Sequence, residues 1–248
     1  MKGQVSAEWP EGYDRLLLEA VDSTNAEALR RLPGLAGPVW ILAGRQLAGR
    51  GRRGRAWADP VGNFAATLAL PTSEPPARLA QRSFLAALAL AEALEGLTGL
   101  DGAYALKWPN DVLLEGGKLS GILLESAPAG LALGVGVNLR AAPPPEAGAA
   151  HLPVSLRAVT GFDIAPEALL AALAARYAEW EALFAAQGFA PVRAAFLARV
   201  ARLGEKLVAR TPSAEYRGRF ETIDESGALV LATAEGRMLL PAADVFFT

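Results

Sequence analysis

Cysteine is absent from the 248 residues, and histidine occurs once, as His151. Without thiols there is no disulfide, no thiolate nucleophile and no sulfur-bound zinc. A single imidazole cannot build a multi-histidine metal site. A Ser-His-Asp triad remains arithmetically open, but no G-x-S-x-G turn accompanies it. No uncharged apolar run is long enough to span a bilayer. Met1 to Asp14 hold charges, Trp9 and Pro10 rather than the apolar core of a signal peptide. The expectation is a soluble, cytoplasmic protein that meets no membrane. A surplus of either charge is missing too, since 24 Lys and Arg stand against 26 Asp and Glu, net −2. A general nucleic-acid binder carries a basic footprint, so this balance argues against one.

What is present is apolar bulk and one concentrated cluster of arginines. Apolar residues make up 52 % of the chain, enough for a sizeable core. The length suits one large domain, or one with a small companion. The cluster runs Gly49-Arg50-Gly51-Arg52-Arg53-Gly54-Arg55-Ala56-Trp57. Its glycines let the backbone approach a ligand closely, and its arginines offer forked donors matched to phosphate and carboxylate. Three readings compete: a solvated basic turn, a dinucleotide fingerprint, and a flexible clamp for an acyl-adenylate. Gly49, Gly51 and Gly54 match G-x-G-x-x-G, but that fingerprint must open a helix, and Ala58-Asp59-Pro60-Val61-Gly62 breaks one. As a clamp the loop should be mobile without its anion, because like charges repel and nothing apolar anchors it.

Along the chain, strands are expected at Arg15–Val21, Val39–Ala43 and Phe64–Leu70, with a helix after Asp22–Asn25. Thr24 and Glu27 have capping-box spacing at that helix start. A long helix from Ala77 to Leu97 carries Phe84, Leu85, Leu88, Ala91 and Leu94 as a core-facing stripe. Short strands follow at Tyr104–Trp108, Val112–Glu115, Leu119–Glu125 and Leu131–Leu139, with Gly116-Gly117 as a hairpin turn. Ala141–Pro153 reads as loop, Ser155–Thr160 as a short helix, and Pro166–Ala186 and Pro191–Val200 as helices. From about Gly204 short strands and turns take over. The fold class is α+β: a mixed, largely antiparallel sheet packed with helices over residues 1–202, then a small β-barrel over 203–248.

Four further segments stand around the arginine cluster: Ser23-Thr24-Asn25 before it, Lys107-Trp108-Pro109-Asn110-Asp111 and Gly117-Lys118-Leu119-Ser120-Gly121 after it, then Gly134-Val135-Gly136-Val137-Asn138. In this order, from about Ser23 to the C-terminus, they closely resemble the biotin protein ligases. The resemblance implies an SH3-like C-terminal barrel and a two-step reaction. Biotin and ATP give biotinyl-5′-AMP and pyrophosphate, and a lysine of a biotin carboxyl carrier protein then displaces AMP. It implies biotin contacts from Ser23, Thr24, Asn25, Gln46, Arg50, Gly51, Arg52 and Lys118. ATP or adenylate contacts fall to Arg50, Arg52, Arg53, Trp57, Lys107, Asn110 and Asn138. Lys118, a compact ammonium, is the candidate bridge between carboxylate and α-phosphate. Arg52 and Asp111 complete the catalytic set, with Asp111 as the candidate Mg²⁺ ligand. A segment after Ala141 can order over the adenine in the family, but here it has no aromatic to stack on the base.

Each of these residues also has a bland reading. Ser23-Thr24-Asn25 is a helix cap, Gln46 an exposed glutamine, Lys118 a hairpin lysine, and Asn110-Asp111 a turn after proline. A lipoate–protein ligase is the nearest enzyme alternative, and a nucleic-acid-binding module built on the arginine loop is the non-enzyme one. Met1–Asp22 is too short for a helix-turn-helix, so a short form that binds no DNA and represses nothing is expected. Sheet-to-sheet homodimers are common in the resembling family.

Overall fold

The computed structural model describes residues 8–58, 60–145 and 151–247. A seven-stranded sheet runs β1-β2-β3-β7-β6-β5-β4. The strands are β1 (Asp14–Leu18), β2 (Val39–Ala43), β3 (Phe64–Pro71), β4 (Tyr104–Lys107), β5 (Asp111–Leu114), β6 (Gly117–Ala127) and β7 (Gly130–Val137). Every pairing is antiparallel except β1 with β2. That parallel pair encloses α1 (Thr24–Arg31), because strands pointing the same way need a crossover between them. Local patterning reveals the strands but not this pairing.

Period-two alternation gives the sheet two different faces. Trp40, Leu42, Leu68 and Leu133 point into the main core, where α2 (Pro76–Thr98) and α4 (Pro166–Gln187) lie. Ile41, Ala69 and Ala132 point the other way, onto Ala28 and Leu32 of α1 and the turn after it. The predicted stripe of α2 is buried as expected. Ala86, Ala87, Ala89 and Leu90 are buried as well, since α4 covers the side away from the sheet. Two shorter helices, α3 (Leu156–Thr160) and α5 (Phe189–Arg199), complete the helical layer.

The C-terminal segment forms a five-stranded antiparallel sheet ordered β11-β10-β9-β8-β12. Its strands are β8 (Lys206–Arg210), β9 (Glu215–Ile223), β10 (Leu229–Thr233), β11 (Gly236–Leu240) and β12 (Asp244–Phe247). It shares the main core: Phe220 and Leu229 belong to the same apolar cluster as Phe84, which meets Phe189 and Phe196 edge-on. Trp108 Nε1 donates to Gly227 O at 2.9 Å, tying the tip of the β4–β5 hairpin to the turn before β10.

Three local expectations need correction. The cap of α1 is Ser23, whose Oγ accepts from Ala26 N, so the helix begins one residue before the capping-box register. The β5–β6 turn is Glu115-Gly116, both at positive φ (48° and 77°), and Gly117 already belongs to β6. Residues 19–21 leave the first strand early, and Val21 keeps only an isolated bridge to Gln46. Strand β12 was not anticipated. Of the Ala141–Pro153 loop, residues 146–150 lie outside the described residues, and so does any ordering of them.

Gly227 adopts φ +92°, and a β-carbon there would come within 2.9 Å of the Phe84 ring. Gly227→Ala should therefore cost about 1–3 kcal/mol, from left-handed strain and a pushed aromatic cluster. Urea unfolding checks this, and an unchanged midpoint would show that the turn is not a rigid joint.

Candidate active site

The site lies on the α1 face of the large sheet, and small residues make room for it. Gly121 of β6 sits opposite Gly136 of β7, with Gly134 two residues further along β7. A β-carbon on Gly136 would be 2.5 Å from the Trp57 ring, and one on Gly134 would be 2.2 Å from Asn25 Oδ1. Side chains from elsewhere thus occupy the space that ordinary strand residues would fill.

At one end the cap of α1 supplies polar groups. Gln46 Oε1 accepts from Thr24 N at 2.9 Å and from Thr24 Oγ1 at 3.1 Å. Thr67 Oγ1 of β3 lies 2.8 Å from Thr24 Oγ1 and 2.7 Å from Asn25 Oδ1, and its single hydrogen serves one of them. Asn25 Nδ2 donates to Glu125 Oε2 at 2.8 Å, and Arg50 pairs with the same oxygen at 3.3 Å. Ser23, Thr24, Asn25 and Thr67 are all buried. The cap reading and the binding reading of Ser23-Thr24-Asn25 coexist: Ser23 closes the helix while its neighbours line the cleft.

At the other end stand the cations. Lys107 and Asp111 face each other across the β4–β5 hairpin, whose tip holds a cis Trp108–Pro109 bond. Lys118 Nζ lies 2.7 Å from Asp111 Oδ1, and Lys107 Nζ lies 3.8 Å from Asp111 Oδ2. Burial works against the charged Asp111, but the two ammonium groups outweigh it and hold the carboxyl below its usual range. Burial also pushes Lys107 down, with Asp111 opposing and Lys118 adding to the effect. Arg52 Nη1 donates to Asn110 Oδ1 at 3.0 Å, which aims one guanidinium of the loop into the same cleft. Backbone bonds from Lys118 N to Leu152 O and from Val154 N to Lys118 O hold the lysine's strand in place. Asn138 Nδ2 donates to Val154 O at 3.1 Å, while its buried Oδ1 has no partner among the described residues.

The arginine loop is more tied down than its composition foretold. Gly51 N donates to Arg55 O at 2.7 Å and Trp57 N to Gly49 O at 2.9 Å, closing it on itself. The expectation that nothing apolar anchors it is wrong, because the Trp57 ring lies over Gly136 and Gly121. Arg53 is not brought to the cleft. Its φ of +57° reverses the chain, and Arg53 Nη1 and Arg55 Nη2 both reach Asp244 Oδ2 of β12, at 2.5 and 3.0 Å. Every other predicted site residue lines the cleft.

Sequence reading passed over Thr67, Glu125 and Asp244, and it gave His151 no place. His151 Nδ1 lies 2.9 Å from Gly116 O, so Nδ1 carries the hydrogen and Nε2 is left as an acceptor. Burial holds its pKa below the usual value, helped by the nearby Lys107 charge. For Thr67 and Glu125 the one available signal was alternation, which sets them on the face of the glycines. Asp244 carried none. As for Mg²⁺, among the described residues no three acidic, imidazole or thiol groups cluster to hold a metal. Asp111 is faced by two ammonium groups, so this donor set does not fit a divalent cation held by the protein.

Asp244→Ala removes the carboxylate that Arg53 and Arg55 share. Exposed pairs of this kind contribute about 0.2–1 kcal/mol each. Trypsin should then cleave after Arg53 or Arg55 roughly two- to thirtyfold faster. Cleavage at the wild-type rate would mean that Asp244 does not hold the loop.

Known proteins are similar to this chain in sequence and fold. The model of the biotin/lipoate A/B protein ligase family matches residues 17–141, and that of the biotin protein ligase C terminal domain matches residues 203–248. The biotin–[acetyl-CoA-carboxylase] ligase of Paracoccus denitrificans is 53 % identical over 240 residues, covering 93 % of this chain and 99 % of the relative. The bifunctional ligase/repressor of Bacillus subtilis is 30 % identical over 216 residues, covering 83 % of this chain and 65 % of its own length. The structure of the Aquifex aeolicus biotin protein ligase in complex with biotin and ATP superposes with a TM-score of 0.82. It is 26 % identical, over 95 % of this chain and 99 % of that one. Matched along both of its sheets, the chain belongs to the biotin/lipoate A/B protein ligase family, among the biotin protein ligases.

Proposed function

We propose that this chain activates biotin with ATP and transfers it to a lysine of a biotin carboxyl carrier protein. One observation carries the reading: a single cleft joins a buried polar network at one end to Lys107, Lys118 and Arg52 at the other. The ureido ring of biotin offers N–H donors and a carbonyl acceptor. Thr24, Asn25 and Gln46 supply the matching groups, and Thr67 positions the first two. The dithiolane ring of lipoate offers no such donors, and leaving this network unpaired would cost affinity. That favours biotin over the lipoate alternative.

In the first step a biotin carboxylate oxygen attacks the α-phosphorus, the P–O bond to the leaving group breaks, and pyrophosphate departs. Both reactants are anionic, so cations must offset their repulsion and the charge building at the α-phosphate. Lys118 is placed for this at the boundary between the two ends, and Asp111 aims its ammonium. Lys107, Arg52 and Arg50 serve the phosphates, and Trp57 and Gly51 close the cleft over the adenylate. Asn110 fixes Arg52. Asn138, with its unpartnered Oδ1, offers an acceptor for the adenine amino group. Asp111, committed to two lysines, is not the group that would hold Mg²⁺. In the second step the carrier amine attacks the acyl carbon, the amide forms, AMP leaves and the amine sheds a proton.

Incubation with ATP, Mg²⁺, a carrier domain and either biotin or lipoate, read by intact mass, tests the reading. Biotin alone should be added, and lipoylation without biotinylation would overturn it. Lys118→Ala should slow adenylate formation by roughly 100- to 1000-fold while leaving biotin binding nearly intact. Adenylation at the wild-type rate would reduce Lys118 to a surface lysine. Arg52→Gly loses a charge-assisted hydrogen bond of roughly 1.5–3 kcal/mol to the adenylate. Escape of the intermediate should then rise roughly 10- to 150-fold, so a bystander such as albumin becomes biotinylated. Adenylate formation without bystander labelling would show that the loop does not retain the intermediate.

A further inference from the structure

The chain's one imidazole stands in the cleft with half of its hydrogen-bonding capacity unused. His151 opens the short run that pairs with Lys118. Lys118 N donates to Leu152 O at 2.8 Å, and Val154 N donates to Lys118 O at 3.0 Å. His151 therefore lines the same cleft as Lys118. Its ring is held from two sides. Nδ1 lies 2.9 Å from Gly116 O in the β5–β6 turn, and the Phe247 ring of β12 meets the imidazole edge-on, with centroids 4.8 Å apart. Lys107 Nζ lies 5.8 Å from the centroid of that same Phe247 ring, so one aromatic of the C-terminal sheet packs beside both residues. Nε2 is buried and has no partner among the described residues. The Nδ1 contact is enough to close the turn, and a histidine serving only the turn would leave Nε2 to water. A buried acceptor without a donor is uncommon and costly. It points to a donor that arrives with the substrate.

Other groups along the cleft are poorly placed to take up a proton. Its arginines and charged lysines are donors with no acceptor to offer. Asp111 gives one oxygen to Lys118 and the other to Lys107, and those ammonium groups hold it below the usual carboxylate range, which makes it a weak base. Asp244 is engaged by Arg53 and Arg55. That leaves His151 among the described titratable residues lining the cleft. Burial and the charge of Lys107 on β4 hold its imidazole below the usual range. Gly116 O and Asp111 of β5 oppose this, and Lys118 of β6 adds to the lowering. Arg202 stands on the Phe247 ring rather than on the imidazole. The ring is therefore neutral at neutral pH, the form a base requires.

We propose that His151 is a catalytic residue of the second step, its Nε2 accepting the proton that the carrier lysine sheds as its nitrogen bonds to the acyl carbon; this rests on the reading that the chain acylates a carrier protein. A lysine arrives from water as an ammonium ion and loses one proton to solvent to expose its lone pair. The neutral amine attacks the acyl carbon and the N–C bond forms. The C–O bond to the adenylyl phosphate breaks, and AMP leaves with the electron pair. The nitrogen still holds one proton more than the amide needs, and that proton passes to Nε2. The imidazolium and the added negative charge on AMP balance, and the ring returns its proton to solvent for the next turnover. Gly116 O fixes the tautomer, because Nδ1 keeps its own hydrogen throughout.

The test separates the two steps in His151→Gln and His151→Ala. Pyrophosphate release on mixing with biotin and ATP reports the first step. Rapid mixing of the preformed adenylate complex with a carrier domain reports the second. Transfer by the Gln variant should slow by roughly 100-fold or more, while pyrophosphate release falls far less. The wild-type transfer profile should bend where the imidazole gains its proton. The neutral form is complete above the lowered pKa and is lost as pH falls through it, so the bend should lie below the ordinary value of about 6.5. The bend should be missing in the Gln variant. Added imidazole should restore transfer by the Ala variant in proportion to its neutral fraction, a recovery that damage to the fold would not show. Wild-type transfer by the Gln variant, or a bend that survives in it, would overturn the proposal and leave the ligase reading intact. Equal losses in both steps without imidazole rescue would assign His151 to the nucleotide and overturn it as well. Failure of the wild-type protein to form adenylate would instead overturn the ligase reading.

Discussion

The site depends on an omission at the centre of the large sheet. Where β6 and β7 pair, glycine faces glycine at Gly121 and Gly136, with Gly134 nearby on the same face. Central strands normally fill both faces with side chains, and glycine there weakens the strand. Here the main-core face is filled by Leu119, Ile122, Val135 and Val137, and it carries the stability. The opposite face is left bare, so Asn25, Trp57 and a substrate can come down onto the backbone. The same two strands thus hold the fold together on one side and make room for chemistry on the other.

Charge is arranged around that space with restraint. Asp111 is set among the cleft's cations, buried between Lys107 and Lys118. Burial pushes the Lys107 ammonium toward losing its proton, and the carboxylate opposes this ahead of any anion. The loop arginines are treated differently: Arg50 rests on Glu125, Arg52 on Asn110, Arg53 and Arg55 on Asp244. These are partly exposed contacts that a phosphate can outcompete. The deep cations are fixed, and the shallow ones are parked.

Much of this was legible because the signals were local. The stripe of α2, the cap of α1 and the arginine loop announce themselves within a few residues of sequence. The resemblance then collected Lys107, Asp111, Lys118 and Asn138 into one cleft, where the structure also brings them. What escaped reading was set by distant partners. The parallel pairing of β1 with β2 follows from the crossover helix rather than from either strand. Thr67 looks like any strand threonine until Thr24 and Asn25 arrive beside it. Asp244 opens a four-residue strand with no periodicity of its own. Arg53 shared its neighbours' chemistry and was assigned their role, but its backbone turns it away.

The contact between Arg53 and Asp244 spans 191 positions of sequence. Chains are made from the N-terminus, and their parts begin to fold in that order. A nascent chain therefore carries the glycine floor, both lysines and the arginine loop well before it carries the carboxylate that holds the loop. During that interval the loop is tethered by its own backbone bonds, by Trp57 and by Arg50 and Arg52 alone. The closed arrangement requires β12, so along the chain a formed cleft comes before a guarded one.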